Sequence, residues 1–193
     1  KQMYAHFDFD EPIDLENLIY KLNAFLNKDI GIANIHKVRH NSHARFDAIS
    51  REYEYYITQI KDVYNHDKKY FFSKKLDFDK IDKAIDILKN TKNFKSFCRT
   101  KSDVTNYNCE IVDFNYEIKE SEIIFRIRAN RFLRNMVRSL IGTILDVSLN
   151  KISIKNLTEI IEKSNRIYAG PSVPAHALFL SNVEYPKNVF LDE

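Results

Sequence analysis

Glycine is scarce in this chain, at three of 193 residues, and it is accompanied by four prolines, two cysteines and no tryptophan. Ordinary chains carry roughly 7% glycine and 5% proline. Few turns here can rest on glycine, and a glycine-rich phosphate loop cannot be built. Neither G-x-x-x-x-G-K nor G-x-G-x-x-G occurs, which excludes nucleotide binding of the P-loop or Rossmann kind. Cys98 and Cys109 lack the spacing of a zinc site, so they are expected to be buried thiols in a reduced, cytoplasmic setting. No apolar run approaches the roughly 20 residues of a membrane span. An excess of one charge is also lacking, with 30 Lys and Arg against 27 Asp and Glu for a net +3. A nucleic-acid surface would therefore have to come from clustering. With 44% hydrophobic and 30% charged residues, the chain reads as one globular domain or two small subdomains rather than as disordered.

Hydrophobic spacing outlines the elements. Residues 1–9 alternate, with Met3, Ala5, Phe7 and Phe9 on one face, and predict a strand. Asp14 predicts a helix cap ahead of Leu15, Leu18, Ile19, Leu22 and Leu26. Residues 30–38 read as a short strand and residues 43–60 as a long extended stretch. A second helix is expected over Lys80–Lys89 with Asp79 as its cap. Strands at about 108–119 and 122–130 form a hairpin through Glu120-Ser121. A third helix is expected over Arg131–Leu149, a fourth begins after Ser153, and a last strand runs over Ala177–Tyr185. The class is α+β with a mostly antiparallel mixed sheet flanked by helices.

Arginine is unevenly spread. Five of the ten, Arg126, Arg128, Arg131, Arg134 and Arg138, fall within 13 residues that contain no acid. Read as helix, Arg131, Arg134 and Arg138 line up as one stripe with Asn135 beside them, suited to a phosphate or carboxylate. A solvated helix face is the plainer alternative. In the extended segment, Arg51, Tyr53 and Tyr55 share a face, which could stack a base and hold its phosphate. A cross-strand aromatic pair is the plainer reading there. His36, His40 and His43 fit no metal-binding pattern and are expected to be ordinary loop histidines.

Several segments together resemble the TruA family of tRNA pseudouridine synthases. His43-Ala44-Arg45-Phe46-Asp47-Ala48 with Arg51-Glu52-Tyr53-Glu54-Tyr55 is similar to the family's H-A-R-F-x-A…R-x-Y-x-Y segment. The run from Ala129 to Arg138 resembles its A-x-x-F-L-x-x-M-V-R motif, with Gly142 downstream. Ala175–Leu180 and Tyr185-Pro186 resemble its A-x-G-L-x-L…Y-P ending, with Ala177 where the family usually has glycine. The resemblance implies isomerisation of uridine to pseudouridine in the anticodon stem-loop of tRNA by a cytoplasmic homodimer, without metal or organic cofactor. It gives Tyr53 the target base and Arg138 the catalytic carboxylate, which Arg138 would hold ionised. It sets Arg45, Arg51, Arg131 and Arg134 along the RNA path, with Tyr55 and Asn135 also toward substrate and Leu178 or Leu180 walling the uracil pocket.

The family's nucleophilic aspartate sits in G-R-T-D-x-G-V-H-A, which has no counterpart here; Arg99-Thr100-Lys101-Ser102-Asp103 falls far downstream without the glycine and histidine, so Asp103 is not assigned that role. By register the aspartate belongs just upstream of Lys1. The 193 residues are accordingly expected to be the C-terminal catalytic and RNA-binding portion of such an enzyme, inactive alone and without the family's N-terminal subdomain. The alternative is a non-catalytic RNA-binding module that never had the aspartate.

Overall fold

Alternating aromatic and β-branched residues build the central strand β1 (Ser50–Thr58), with Tyr55 and Ile57 fully buried. The structure is a computed structural model that describes residues 2–9, 12–100 and 104–191; Asp103 lies outside the described residues. Two units are distinguishable, residues 1–3 with 49–184 and residues 4–48 with 185–193.

In the larger unit, β1 runs antiparallel to β4 (Glu122–Ala129), which runs antiparallel to β3 (Ile111–Lys119). Its other edge takes β5 (Leu178–Glu184), antiparallel, and the two-residue β2 (Tyr70–Phe71), parallel. The sheet is thus mixed and mostly antiparallel, as expected. The hairpin turn Glu120-Ser121 works without glycine because Glu120 takes the left-handed conformation itself, at φ 53°, at a cost of about 1 kcal/mol.

Helices cover the inner sheet face. α2 (Phe78–Lys89) buries Ile81, Ala84, Ile85 and Leu88, as its spacing predicts. Its cap is Asp77, whose carboxylate accepts from the Lys80 N–H, while the expected cap Asp79 sits in the first turn, where a negative charge suits the helix dipole. α3 (Met136–Ser148) crosses the core, and α4 (Ile154–Lys163) is capped by Ser153 as expected. Tyr55, Phe94, Phe97, Phe114 and Phe125 are the largest fully buried side chains, each contributing roughly 1.5–3 kcal/mol. Among the described residues no helix is long and apolar enough to cross a membrane.

Three expectations are corrected outside the sheet. Residues 2–9 form no strand: none of the strand pairings includes them, and Met3, Phe7 and Phe9, expected on one strand face, are 79%, 56% and 59% exposed. Alternation assigns side chains to faces, but a strand also needs a neighbour's N–H and C=O groups. Residues 30–38 form only one isolated bridge, Val38 to Phe190. The Asn23 side chain from α1 (Leu15–Phe25) takes both backbone groups of Ile32, at 2.7 and 2.9 Å, leaving them unavailable for a ladder. Residues 43–47 are a turn, with β1 starting only at Ser50. The Asp47 carboxylate accepts from the His43 N–H at 2.7 Å, and His43 Nδ1 accepts from the Arg45 N–H at 3.0 Å. The helix after Asp14 forms as expected, with Asp14 accepting from the Asn17 N–H.

Both cysteines are buried, and burial pushes the Cys109 thiol up to about 11. At pH 8 its thiolate is scarce, so alkylation of Cys109 in the folded protein is expected to be roughly two orders of magnitude slower than after unfolding in urea. Equal rates in the two states would contradict this burial; mass spectrometry of quenched samples reads both.

Candidate active site

α3 has an unusual surface for a helix of this length. Every residue from Met136 to Ser148 is buried except Arg138. The expected arrangement, an apolar face opposed by an arginine stripe, is not what forms. Arg131 and Arg134 precede the helix, because Asn135 adopts the left-handed conformation (φ 68°) and a helix cannot continue through it. α3 starts at Met136, and only Arg138 of the stripe projects from it. The Arg134 carbonyl accepts from the Arg99 N–H at 2.9 Å, which ties that loop to the segment after the short 3₁₀ turn Lys95–Phe97.

The run is not uniformly without anions either. Arg126 donates Nε to Glu54 and Nη1 to Glu117, both at 2.9 Å, and these hydrogen bonds raise its pKa. The acids come from β1 and β3, the flanking strands, so no local count along β4 could find them. Arg131, Arg134 and Arg138 have no such ion pair among the described residues.

Arg138 is held by backbone. Its Nε donates to the Val173 carbonyl at 2.6 Å, and the Val173 N–H returns a bond to the Arg138 carbonyl at 3.2 Å. Further contacts fix the same segment, residues 169–174. The Tyr55 hydroxyl donates to Pro174 O at 2.9 Å, Asn135 Nδ2 donates to Ser172 Oγ at 2.6 Å, and the Gly170 N–H donates to Thr143 Oγ1 at 3.0 Å. Two of the three glycines lie at this crossing. A Cβ on Gly142 would stand 1.7 Å from the Pro171 oxygen, and one on Gly170 would stand 2.8 Å from the Thr143 Cα. Their service here is close approach of two backbones.

Arg138 lies near Tyr55 of β1, where its charge opposes the rise that burial imposes on that phenol's pKa. Register puts Leu180 opposite Tyr53 and Leu178 opposite Tyr55 on β5, with Ile127 and Phe125 opposite the same tyrosines on β4. Tyr53, Leu178 and Leu180 are half-buried. The Phe132 ring meets Tyr53 edge-on at 5.1 Å. Burial raises the Tyr53 pKa against the opposing influence of Arg51 two residues away, so the phenol stays protonated at neutral pH. Tyr55 differs: it is fully buried with its hydroxyl committed to Pro174, and burial raises its pKa strongly. The structure therefore assembles Arg51, Tyr53, Leu178 and Leu180 on strands, with Arg138 and Asn135 on the adjoining helix start and Tyr55 beneath. Arg45 belongs to the smaller unit, where it is exposed with its guanidinium 5.5 Å from the Phe46 ring centroid.

Local patterns missed Arg166. It donates Nη1 to Ala169 O at 3.2 Å and Nη2 to Ser172 Oγ at 3.1 Å. Its only sequence signal is its place four residues before Gly170-Pro171. Among the described residues no group of three or more His, Cys, Asp or Glu could hold a metal ion. The site offers a half-buried phenol between apolar walls and a fixed guanidinium, which suits a flat, uncharged ring with an anionic group beside it.

Comparison with known proteins supplies a family. The sequence profile described as tRNA pseudouridine synthase matches residues 84–186, which include α3, its arginine and the whole 169–174 segment. A protein named tRNA pseudouridine synthase A from Parabacteroides distasonis is 44% identical over 189 residues, covering 97% of this chain and 75% of that protein. One of the same name from Bacteroides fragilis is 42% identical, again over 97% and 75%. A tRNA pseudouridine synthase A 1 from Bacillus cereus is 36% identical over 92% of this chain and 73% of its own length. With a profile match over more than half of its length and this identity and coverage, the chain belongs to the TruA family of tRNA pseudouridine synthases.

Proposed function

We propose that these residues form the substrate-handling part of an enzyme that converts uridine in tRNA to pseudouridine. The carrying observation is Arg138, the single non-buried residue of α3, held on the Val173 carbonyl next to Pro174, whose carbonyl accepts from the Tyr55 hydroxyl. In the isomerisation the bond from the ribose to the uracil nitrogen breaks, a bond from the ribose to a ring carbon forms, and that carbon's proton is replaced by one on the released nitrogen. Atoms and charge balance without an oxidant. Tyr53, Leu178 and Leu180 would grip the uracil while it turns, and Tyr53 would move a proton, being protonated at neutral pH. Arg138 would hold the attacking carboxylate ionised. Arg45, Arg51, Arg131, Arg134 and Asn135 would meet the RNA, and Tyr55 would act through Pro174 by setting the pocket floor. A homodimer, a cytoplasmic setting and the anticodon stem-loop as target belong to the same reading and rest on the family resemblance.

The aspartate motif of the family has no counterpart in these 193 residues. The purified 193-residue polypeptide should therefore bind tRNA without making pseudouridine. Its affinity should fall roughly tenfold or more between low and physiological salt, as phosphate contacts require. Filter binding and nucleoside mass spectrometry check both halves. Pseudouridine formed by this polypeptide would overturn the assignment of the nucleophile, and absence of tRNA binding at low salt would overturn the RNA reading.

A further inference from the structure

Arg166 lies in the 3₁₀ turn Arg166–Tyr168 and is half-buried. Its two acceptors, Ala169 O and Ser172 Oγ, are neutral, and among the described residues no carboxylate pairs with it. Burial pulls its pKa below the ordinary arginine value, so its surroundings resist the charge they hold. Arg126 shows the contrary case, with two carboxylates and a raised pKa.

Ser172 sharpens the point. Its hydroxyl oxygen accepts from both Asn135 Nδ2 and Arg166 Nη2, which fills its two lone pairs and leaves its proton to donate. No acceptor for that proton is found among the described residues. Arg166 likewise keeps N–H groups beyond the two it has used. One residue onward, about 3.8 Å along the backbone, Val173 O carries Arg138. Two guanidiniums thus bond consecutive residues, Ser172 and Val173, and among the described residues no carboxylate pairs with either. Like charges in a half-buried setting repel unless an anion joins them.

We propose that Arg166 and the Ser172 hydroxyl bind a phosphodiester group of the RNA, next to the nucleotide handled by Tyr53 and Arg138. The inference rests on the tRNA reading above. A phosphate offers acceptor oxygens to match both donors and supplies the negative partner that neither neutral acceptor of Arg166 provides. Arg138 is left to the carboxylate, so the two guanidiniums serve different anions.

The test is tRNA binding across a salt series by the unaltered polypeptide, Arg166→Gln and Arg166→Lys. The glutamine variant should bind several-fold more weakly at low salt, with the log–log salt slope reduced by roughly 0.7–0.9, the value of one phosphate contact. The lysine variant should keep the slope. An unchanged slope in a folded Arg166→Gln protein overturns the contact. Failure of the unaltered polypeptide to bind tRNA is a different result, removing the RNA reading and this inference together. The Arg166 Nε–Hε resonance of the unaltered polypeptide gives a second measurement independent of variant folding. It should shift with a uridine dinucleotide and not with uridine, and equal responses to the two overturn the proposal.

Discussion

Gly142→Ala is expected to destabilise the protein by about 3 kcal/mol, the upper end for an overpacked interior, and to lower its melting temperature by roughly 6–12 °C. The added Cβ would meet the Pro171 oxygen at 1.7 Å and its carbonyl carbon at 3.0 Å. These are backbone atoms, so no side chain can swing away. Either α3 moves off the 169–174 segment or the segment lifts from α3. Lifting would draw Val173 from Arg138 and Pro174 from Tyr55, so tRNA handling should suffer along with stability. Gly31 provides the control: nothing stands within 4 Å of a Cβ there, and Gly31→Ala should change stability by less than about 1 kcal/mol. Urea denaturation of both variants measures the difference. Equal stability of Gly142→Ala and the unaltered protein would mean that the helix and segment do not meet as described.

The second large effect concerns Arg138. In a chain that also carries the family's aspartate motif, Arg138→Ala is expected to lower the single-turnover rate about 10²–10³-fold, the scale of losing one oriented electrostatic partner. tRNA affinity should change by less than about threefold, since Arg138 serves the carboxylate and loses no phosphate contact. The pH profile gives a sign. A carboxylate beside Arg138 titrates low, so activity extends to acid; without the guanidinium its pKa rises by roughly one to three units. The acid limb of the rate profile should therefore move upward by that amount. Arg138→Lys keeps the charge but loses the planar fork and the Nε bond to Val173, so it should restore the limb more than the rate. A rate unchanged in Arg138→Ala would end the carboxylate role.

The parts of the molecule that were legible in the sequence are those where one periodicity or one cap decides the outcome. α2 buries the residues its spacing selects, α4 buries Leu157 and Ile160, the hairpin of β3 and β4 turns at Glu120-Ser121, and Tyr53 and Tyr55 of β1 share a face. Caps and alternation act over three or four neighbouring residues, which is the range a sequence displays. Ion pairing across strands lies outside that range. The acid-free run around Arg126 is acid-free only along the chain, because Glu54 and Glu117 reach it from 72 and 9 residues away.

Helix length misled in a similar way. Arg131, Arg134 and Arg138 have helical spacing, but a single left-handed Asn135 divides them, leaving one arginine on α3 and two ahead of it. Alternation likewise does not suffice for a strand in residues 2–9, which belong to none of the described strand pairings.

The scarcity of glycine was plain from composition, and composition alone determined that no glycine-rich phosphate loop exists here. The motifs that resemble the family's singled out Arg138 and Tyr53. What two of the three glycines are for was decided only by tertiary structure, because it depends on the Gly170-Pro171 segment approaching Gly142 and Thr143 of α3 across 27 or more residues of chain. The same crossing decided that Arg138 is held on Val173 and that Arg166 and Ser172 stand beside it with donors to spare. Contacts of that kind arise from chain crossing in space, and no local window of residues contains them.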